Sequence, residues 1–121
     1  MEKLIFVYNT DSGLYNSLKD GIHKMVSPQT YQCSLCKITH DNFSEKKDWK
    51  NFREQSSIEM EFYHKDEFQE LYNVYSEKDR GYPIIFQKER GVLLELLTTK
   101  EIKKIEGIKS LIGFIEKTSL N

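Results

Sequence analysis

Cys33 and Cys36 are the only cysteines of the chain, and they lie within Tyr31-Gln32-Cys33-Ser34-Leu35-Cys36-Lys37-Ile38-Thr39-His40. This Cys-x-x-Cys spacing lets two thiols close a small disulfide or grip one metal ion. In a redox reading one cysteine attacks as a thiolate and the other resolves, and a cellular thiol reductant recycles the bond. Lys37 and His40 stand near enough in sequence to lower a thiol pKa. In a metal reading Cys33, Cys36 and His40 form a Cys-x2-Cys-x3-His run, and His23 or His64 can complete a tetrahedral zinc or similar site. A third reading leaves both sulfurs chemically idle and the histidines as surface or hydrogen-bonding groups. Lys37 stands where a c-type haem site needs histidine, which removes haem attachment.

Other residues carry weaker signals. Asn9, Asp11 and Ser12 follow an apolar run and stand where open α/β sheets bind ligands, and the next helix start can hold an anion. Capping and turn formation explain the same three residues. No nucleophile elbow surrounds Ser12, so a Ser/His/Asp hydrolase finds no support.

Composition narrows the classes. A chain of 121 residues fits one domain with a core that needs no disulfide staples. Two cysteines are too few for a secreted disulfide scaffold. The apolar run Leu4 to Tyr8 is too short for a signal-peptide core or a membrane span, so a soluble, cytoplasmic protein is expected. Lysine and arginine total 18 against 19 acids, which provides no general field for nucleic acid or an anionic membrane. The basic stretches Lys46-Lys47-Asp48-Trp49-Lys50 and Lys100-Glu101-Ile102-Lys103-Lys104 are broken by acids and read as solvated helix faces.

The elements that must position the cysteines follow from periodicity. Leu4-Ile5-Phe6-Val7-Tyr8 is continuously apolar, the pattern of a strand buried on both faces of a sheet covered by helices. Asn9 to Gly13 supplies a turn, and Leu14, Leu18, Ile22 and Met25 follow at helical spacing. Ser27-Pro28 ends that helix, and the stretch from Ser27 to Asn42 has no clear period, which puts the cysteines on a loop or a short helix end. Ser44 can cap a helix that carries Trp49 and Phe52 to about Gln55. Ile58 to His64 alternates as a strand, and Asp66 with Gln69 reads as a capping box. Trp49, Phe52, Phe62 and Tyr63 read as packing between helix and sheet.

Asn73 to Gly81 is a polar connection, and Tyr82 to Phe86 reads as a strand with proline first. Glu89-Arg90-Gly91 turns tightly into Val92 to Leu97, which makes an antiparallel hairpin. Thr98 with Glu101 forms another capping box. Ile105, Ile108, Leu111, Ile112 and Ile115 give an amphipathic terminal helix with a break at Gly107.

This order of elements, above all Ile58 to Lys117, resembles the thioredoxin-like fold. The resemblance implies an α/β domain over residues 1–121 with a central mixed sheet of about four strands flanked by helices. It also implies that Pro83 is the family's cis-proline beside the dithiol and that Cys33 attacks. Ser34-Leu35 differs from the common Gly-Pro between the cysteines. In the family's pattern the cysteines directly follow a central apolar strand and open a helix. Here either Leu4 to Tyr8 is that strand and the pair sits in an insertion, or a short strand hides in Thr30-Tyr31-Gln32 and Leu4 to Tyr8 is an additional first strand. Hydrophobicity favours the first.

The chain is also similar to a group of short, uncharacterised bacterial proteins sometimes labelled as GTPases. It has no Gly-x-x-x-x-Gly-Lys-Ser/Thr loop to cradle phosphates. The expected function is thiol-disulfide exchange with a thiol or protein partner that the sequence does not name. The alternative is a non-enzymatic binding module whose cysteines are structural or hold zinc. No other cofactor is implied.

Overall fold

A computed structural model describes residues 3–10, 33–40, 45–72 and 81–119. The elements are β1 (Lys3–Tyr8), α1 (Ser34–Thr39), α2 (Lys47–Gln55), β2 (Glu59–His64), α3 (Lys65–Leu71), β3 (Ile84–Glu89), β4 (Val92–Leu97), α4 (Thr99–Lys103) and α5 (Ile108–Ser119). The helix expected around Leu14 to Met25, the strand weighed at Thr30-Tyr31-Gln32 and nearly all of the connection expected from Asn73 fall outside the described residues, as do Asp11, Ser12 and His23.

The strands form one mixed sheet in the order β2-β1-β3-β4. β1 runs parallel to β2 and antiparallel to β3, and β3 and β4 form an antiparallel hairpin. The expected α/β architecture, a four-stranded mixed sheet flanked by helices, is therefore present and is consistent with the thioredoxin-like arrangement. β1 lies inside the sheet because its side chains are apolar on both faces: Leu4, Ile5, Phe6 and Val7 are all fully buried.

Alternation along β1 divides the core in two. Leu4, Phe6 and Tyr8 face a cluster with Leu35 and Ile38 of α1, Trp49 of α2, Ile102 of α4, and Leu111 and Ile115 of α5. Ile5 and Val7 face the other way, with Phe68 of α3, Ile84, Phe86 and Leu93. Phe62 pairs with Phe6 in the β1–β2 register and stacks on it at 4.8 Å. Trp49 meets Phe6 edge-on at 5.5 Å, which locks α2 over the parallel pair.

The hairpin turns through Arg90 and Gly91, whose φ values of 50° and 81° are both positive, as a two-residue turn between twisted strands requires. One irregularity in β4 was not visible in its sequence. Ile85 pairs with Leu97 but Phe86 pairs with Glu95, so Leu96 is an extra residue. This bulge reverses the alternation: Leu93 joins the second cluster, whereas Leu97, four residues on, joins the first.

Helix starts differ from the expected caps in two places. α2 begins after Lys46, and Ser44 lies outside the described residues. β2 runs straight into α3 with no intervening turn, so the cap moves from Asp66 to His64, whose N–H donates to Glu67 Oε1 at 2.8 Å. β3 begins at Ile84 because Pro83 has no N–H to add to the ladder. The Thr98 and Glu101 box forms as expected, with the Thr98 N–H donating to Glu101 at 2.9 Å. The terminal helical region is broken between Lys103 and Ile108, around the anticipated Gly107.

Ile115 contacts the same cluster as Trp49, the chain's single tryptophan. Ile115→Ala is expected to lower unfolding stability by about 2–5 kcal/mol, read from tryptophan fluorescence in urea. Exposed Lys109→Ala should stay within about 0.5 kcal/mol of wild type. Equal losses for the two variants would show that α5 is not packed as described.

Candidate functional site

Cys33 and Cys36 are joined by a disulfide, with their Cα atoms 5.2 Å apart. Cys33 is the N-cap of α1 and has extended backbone geometry, and Cys36 occupies the third helical position. The cap sulfur takes the place of the usual hydroxyl or carboxylate acceptor: Cys36 N–H donates to Cys33 Sγ at 3.2 Å. A second donor comes from far away in sequence. Asn9 N–H, at the exit of β1, reaches the same sulfur at 3.4 Å.

This contact bears on the two positions weighed for the cysteines. Leu4 to Tyr8 is the central strand, as hydrophobicity favoured, yet the pair is not remote from it. Although Asn9 and Cys33 stand 24 positions apart in sequence, the fold returns the helix start to the carboxyl end of β1. Pro83 belongs to the same end of the sheet. Val7 pairs with Ile84, so continuing the antiparallel register sets Pro83 opposite Tyr8. Pro83 is buried, its bond to Tyr82 is cis as anticipated, and its carbonyl accepts from Thr99 Oγ1 at 2.9 Å.

Burial distinguishes the two cysteines. Cys33 is wholly inside the first cluster at 0% exposure, whereas Cys36 is only partly buried at its edge. Ser34, Lys37 and Ile38 present another face of α1 to a groove of about 670 Å³ shared with Lys46 and the α4–α5 link. Ser34 Oγ is buried there without a hydrogen-bond partner among the described residues.

The far end of α1 is tied down by a polar knot. Thr39 donates its one hydroxyl proton to Leu35 O at 3.0 Å. Its oxygen also lies 3.4 Å from the Tyr8 hydroxyl and 2.8 Å from His40 Nδ1, within hydrogen-bond reach of both. Glu45 bridges backbone to His40 and grips Arg53 with two bonds of 2.6 Å, which fastens the end of α1 to α2. The Arg53 guanidinium holds the Glu45 carboxyl below its ordinary range.

The same knot bears on the metal reading. Cys33 caps one end of α1 and His40 the other, seven residues apart and so about 10 Å along the axis. His40 faces Thr39 and Tyr8, and His64 Nδ1 meets Thr10 Oγ1 at 2.7 Å. Among the described residues no group of three or more His, Cys, Asp or Glu side chains converges. The structure thus brings Cys33 and Cys36 together with Asn9 and places His40 at the opposite helix end. Sequence reasoning singled out Asn9 only as a turn or ligand residue, because its role here belongs to its backbone N–H.

No family model matches the chain, and no curated protein or solved structure matches it. Among the described residues no helix is long and apolar enough to cross a membrane.

Burial pushes the Tyr8 phenol up from about 10 to about 12. The folded state holds this proton more tightly than the unfolded chain, so the stabilisation is complete below pH 10 and is lost as pH rises towards 12. Tyr8→Phe removes that titration. Above pH 10 the urea midpoint of wild type should fall more steeply than that of the variant, and parallel curves would assign the loss elsewhere.

Proposed function

We propose that this protein is a small thioredoxin-like dithiol protein that exchanges electrons with thiols and disulfides through Cys33 and Cys36. The observation that carries this reading is the pair of backbone N–H groups, from Asn9 and Cys36, aimed at Cys33 Sγ. A neutral disulfide sulfur is a weak acceptor and gains little from them. A thiolate gains much more, so the donors match the charge that appears when the bond opens. Cys36 is only partly buried, so the pair is less enclosed at that residue than at Cys33.

A structural fastener is the second reading, and the complete burial of Cys33 favours it. The size of the closed loop argues the other way. The bridge has a sequence separation of 3 and joins the N-cap of α1 to its third residue, which the capping bond already brings together. Chain entropy assigns so short a loop about 2 kcal/mol, less than longer loops provide.

Thiol counting in glutathione buffers of graded composition separates the two readings. The redox reading expects a reversible change between no free thiols and two per chain in the native state, and disulfide reductase activity that Cys33→Ser and Cys36→Ser each abolish. A native protein whose pair stays oxidised in excess dithiothreitol would overturn it. A fastener alone predicts instead a lower urea midpoint after forced reduction, with no exchange.

A further inference from the structure

The two sulfurs are unequal in a way that the spacing does not disclose. Cys33 Sγ is enclosed by the first core cluster and receives two N–H donors, whereas Cys36 retains exposed surface. Displacement at a disulfide needs the incoming thiolate to approach the attacked sulfur from the side opposite the bond that breaks, so access to that sulfur controls the rate. An approach to Cys33 would pass through packed side chains and the end of β1. An approach to Cys36, a residue only partly buried, meets less cover.

We infer that Cys36 is the sulfur through which electrons enter and leave, and that Cys33 is the buried partner that departs and resolves. This assignment rests on the redox reading and inverts the order that the thioredoxin-like resemblance implies. A low-molecular-weight thiol, as its thiolate, forms a bond to Cys36 Sγ. The Cys33–Cys36 bond breaks and its electron pair leaves on Cys33 Sγ, where Asn9 N–H and Cys36 N–H receive the charge. A second thiolate attacks the substrate sulfur of the mixed disulfide, releases a low-molecular-weight disulfide and leaves Cys36 as thiolate. Two external thiols are oxidised to one disulfide, and the protein gains two electrons and takes up the two protons. In the oxidising direction Cys36 attacks a substrate disulfide, and Cys33 then displaces the second substrate thiolate from Cys36.

The division of labour has a chemical logic. A leaving thiolate departs faster when its charge is stabilised, and an attacking thiolate must be reachable. Two donors on the enclosed sulfur and the lighter cover over the other cysteine satisfy both demands at once.

The test uses oxidised wild-type protein and reduced glutathione, quenched in acid, with the adduct located by fragmentation mass spectrometry. The adduct is expected on Cys36. Reduced Cys33→Ser and Cys36→Ser are then reacted with glutathione disulfide over about pH 6 to 10, which separates thiolate fraction from access. Cys33→Ser, which retains Cys36, should be modified at least about tenfold faster per thiolate than Cys36→Ser. If the wild-type adduct resolves too quickly to capture, these rates decide. Glutathione on Cys33, or faster modification of Cys36→Ser, overturns the assignment while leaving redox function intact. A wild-type bond that never exchanges with glutathione overturns both.

Discussion

A strand that is apolar on both faces must be covered on both, and this requirement on β1 organises the structure. Leu4 and Phe6 demand cover from one side, Ile5 and Val7 from the other, and all four are removed from water. Each such side chain contributes about 1.5–3 kcal/mol when buried, so an arrangement that leaves either face of β1 in water is strongly disfavoured. β2 and β3 flank it, and α1, α2, α4 and α5 supply cover for one face while α3 lies against the other. The position of the cysteines follows from this. α1 lies over the Tyr8 end of β1, so its first residue meets the chain just where β1 stops.

The elements legible in the sequence are those where a local pattern and tertiary packing agree. β1, the hairpin, the Thr98 cap and the broken terminal helix are of this kind. Leu111 and Ile115 are buried as their helical spacing requires, and Gly91 supplies the positive φ that its turn needs. The misses have a common cause in geometry between strands or at junctions. The bulge at Leu96 depends on how β4 pairs with β3, and Val92-Leu93-Leu94-Glu95-Leu96-Leu97 reads equally well in either register. His64 became a cap because β2 passes directly into α3, a continuity that removes the turn whose residues would have marked the boundary.

The site was legible in its chemistry and not in its placement. Two thiols at Cys-x-x-Cys spacing announce a possible bridge, and the bridge is there. Their spacing is symmetric, however, and says nothing of which sulfur faces the core. Leu35 and Ile38 decide that: buried against β1, they turn α1 so that Cys33 points inwards and Cys36 lies at the margin. The choice between a pair near the central strand and a pair in an insertion dissolves for a related reason. A long insertion in sequence need not displace a helix in space, because closing a longer loop costs little extra free energy.

Asn9 shows why such a site leaves so faint a trace. Its contribution to Cys33 is a backbone N–H, which every residue but proline possesses, so the identity of the side chain carries no mark of it. What must be controlled is the orientation of that peptide, and the β2–α3 junction controls it from the far side. Lys65 N–H donates to Thr10 O at 3.0 Å, Lys65 Nζ donates to Asn9 Oδ1 at 3.2 Å, and Thr10 Oγ1 meets His64 Nδ1 at 2.7 Å. Held by these contacts, Asn9 presents its backbone N–H to the sulfur. The parallel pairing of β1 with β2 is therefore part of the site as well as of the sheet: it delivers Lys65 and His64 to the level at which Asn9 leaves β1, and that alignment turns an ordinary peptide group into a partner for Cys33.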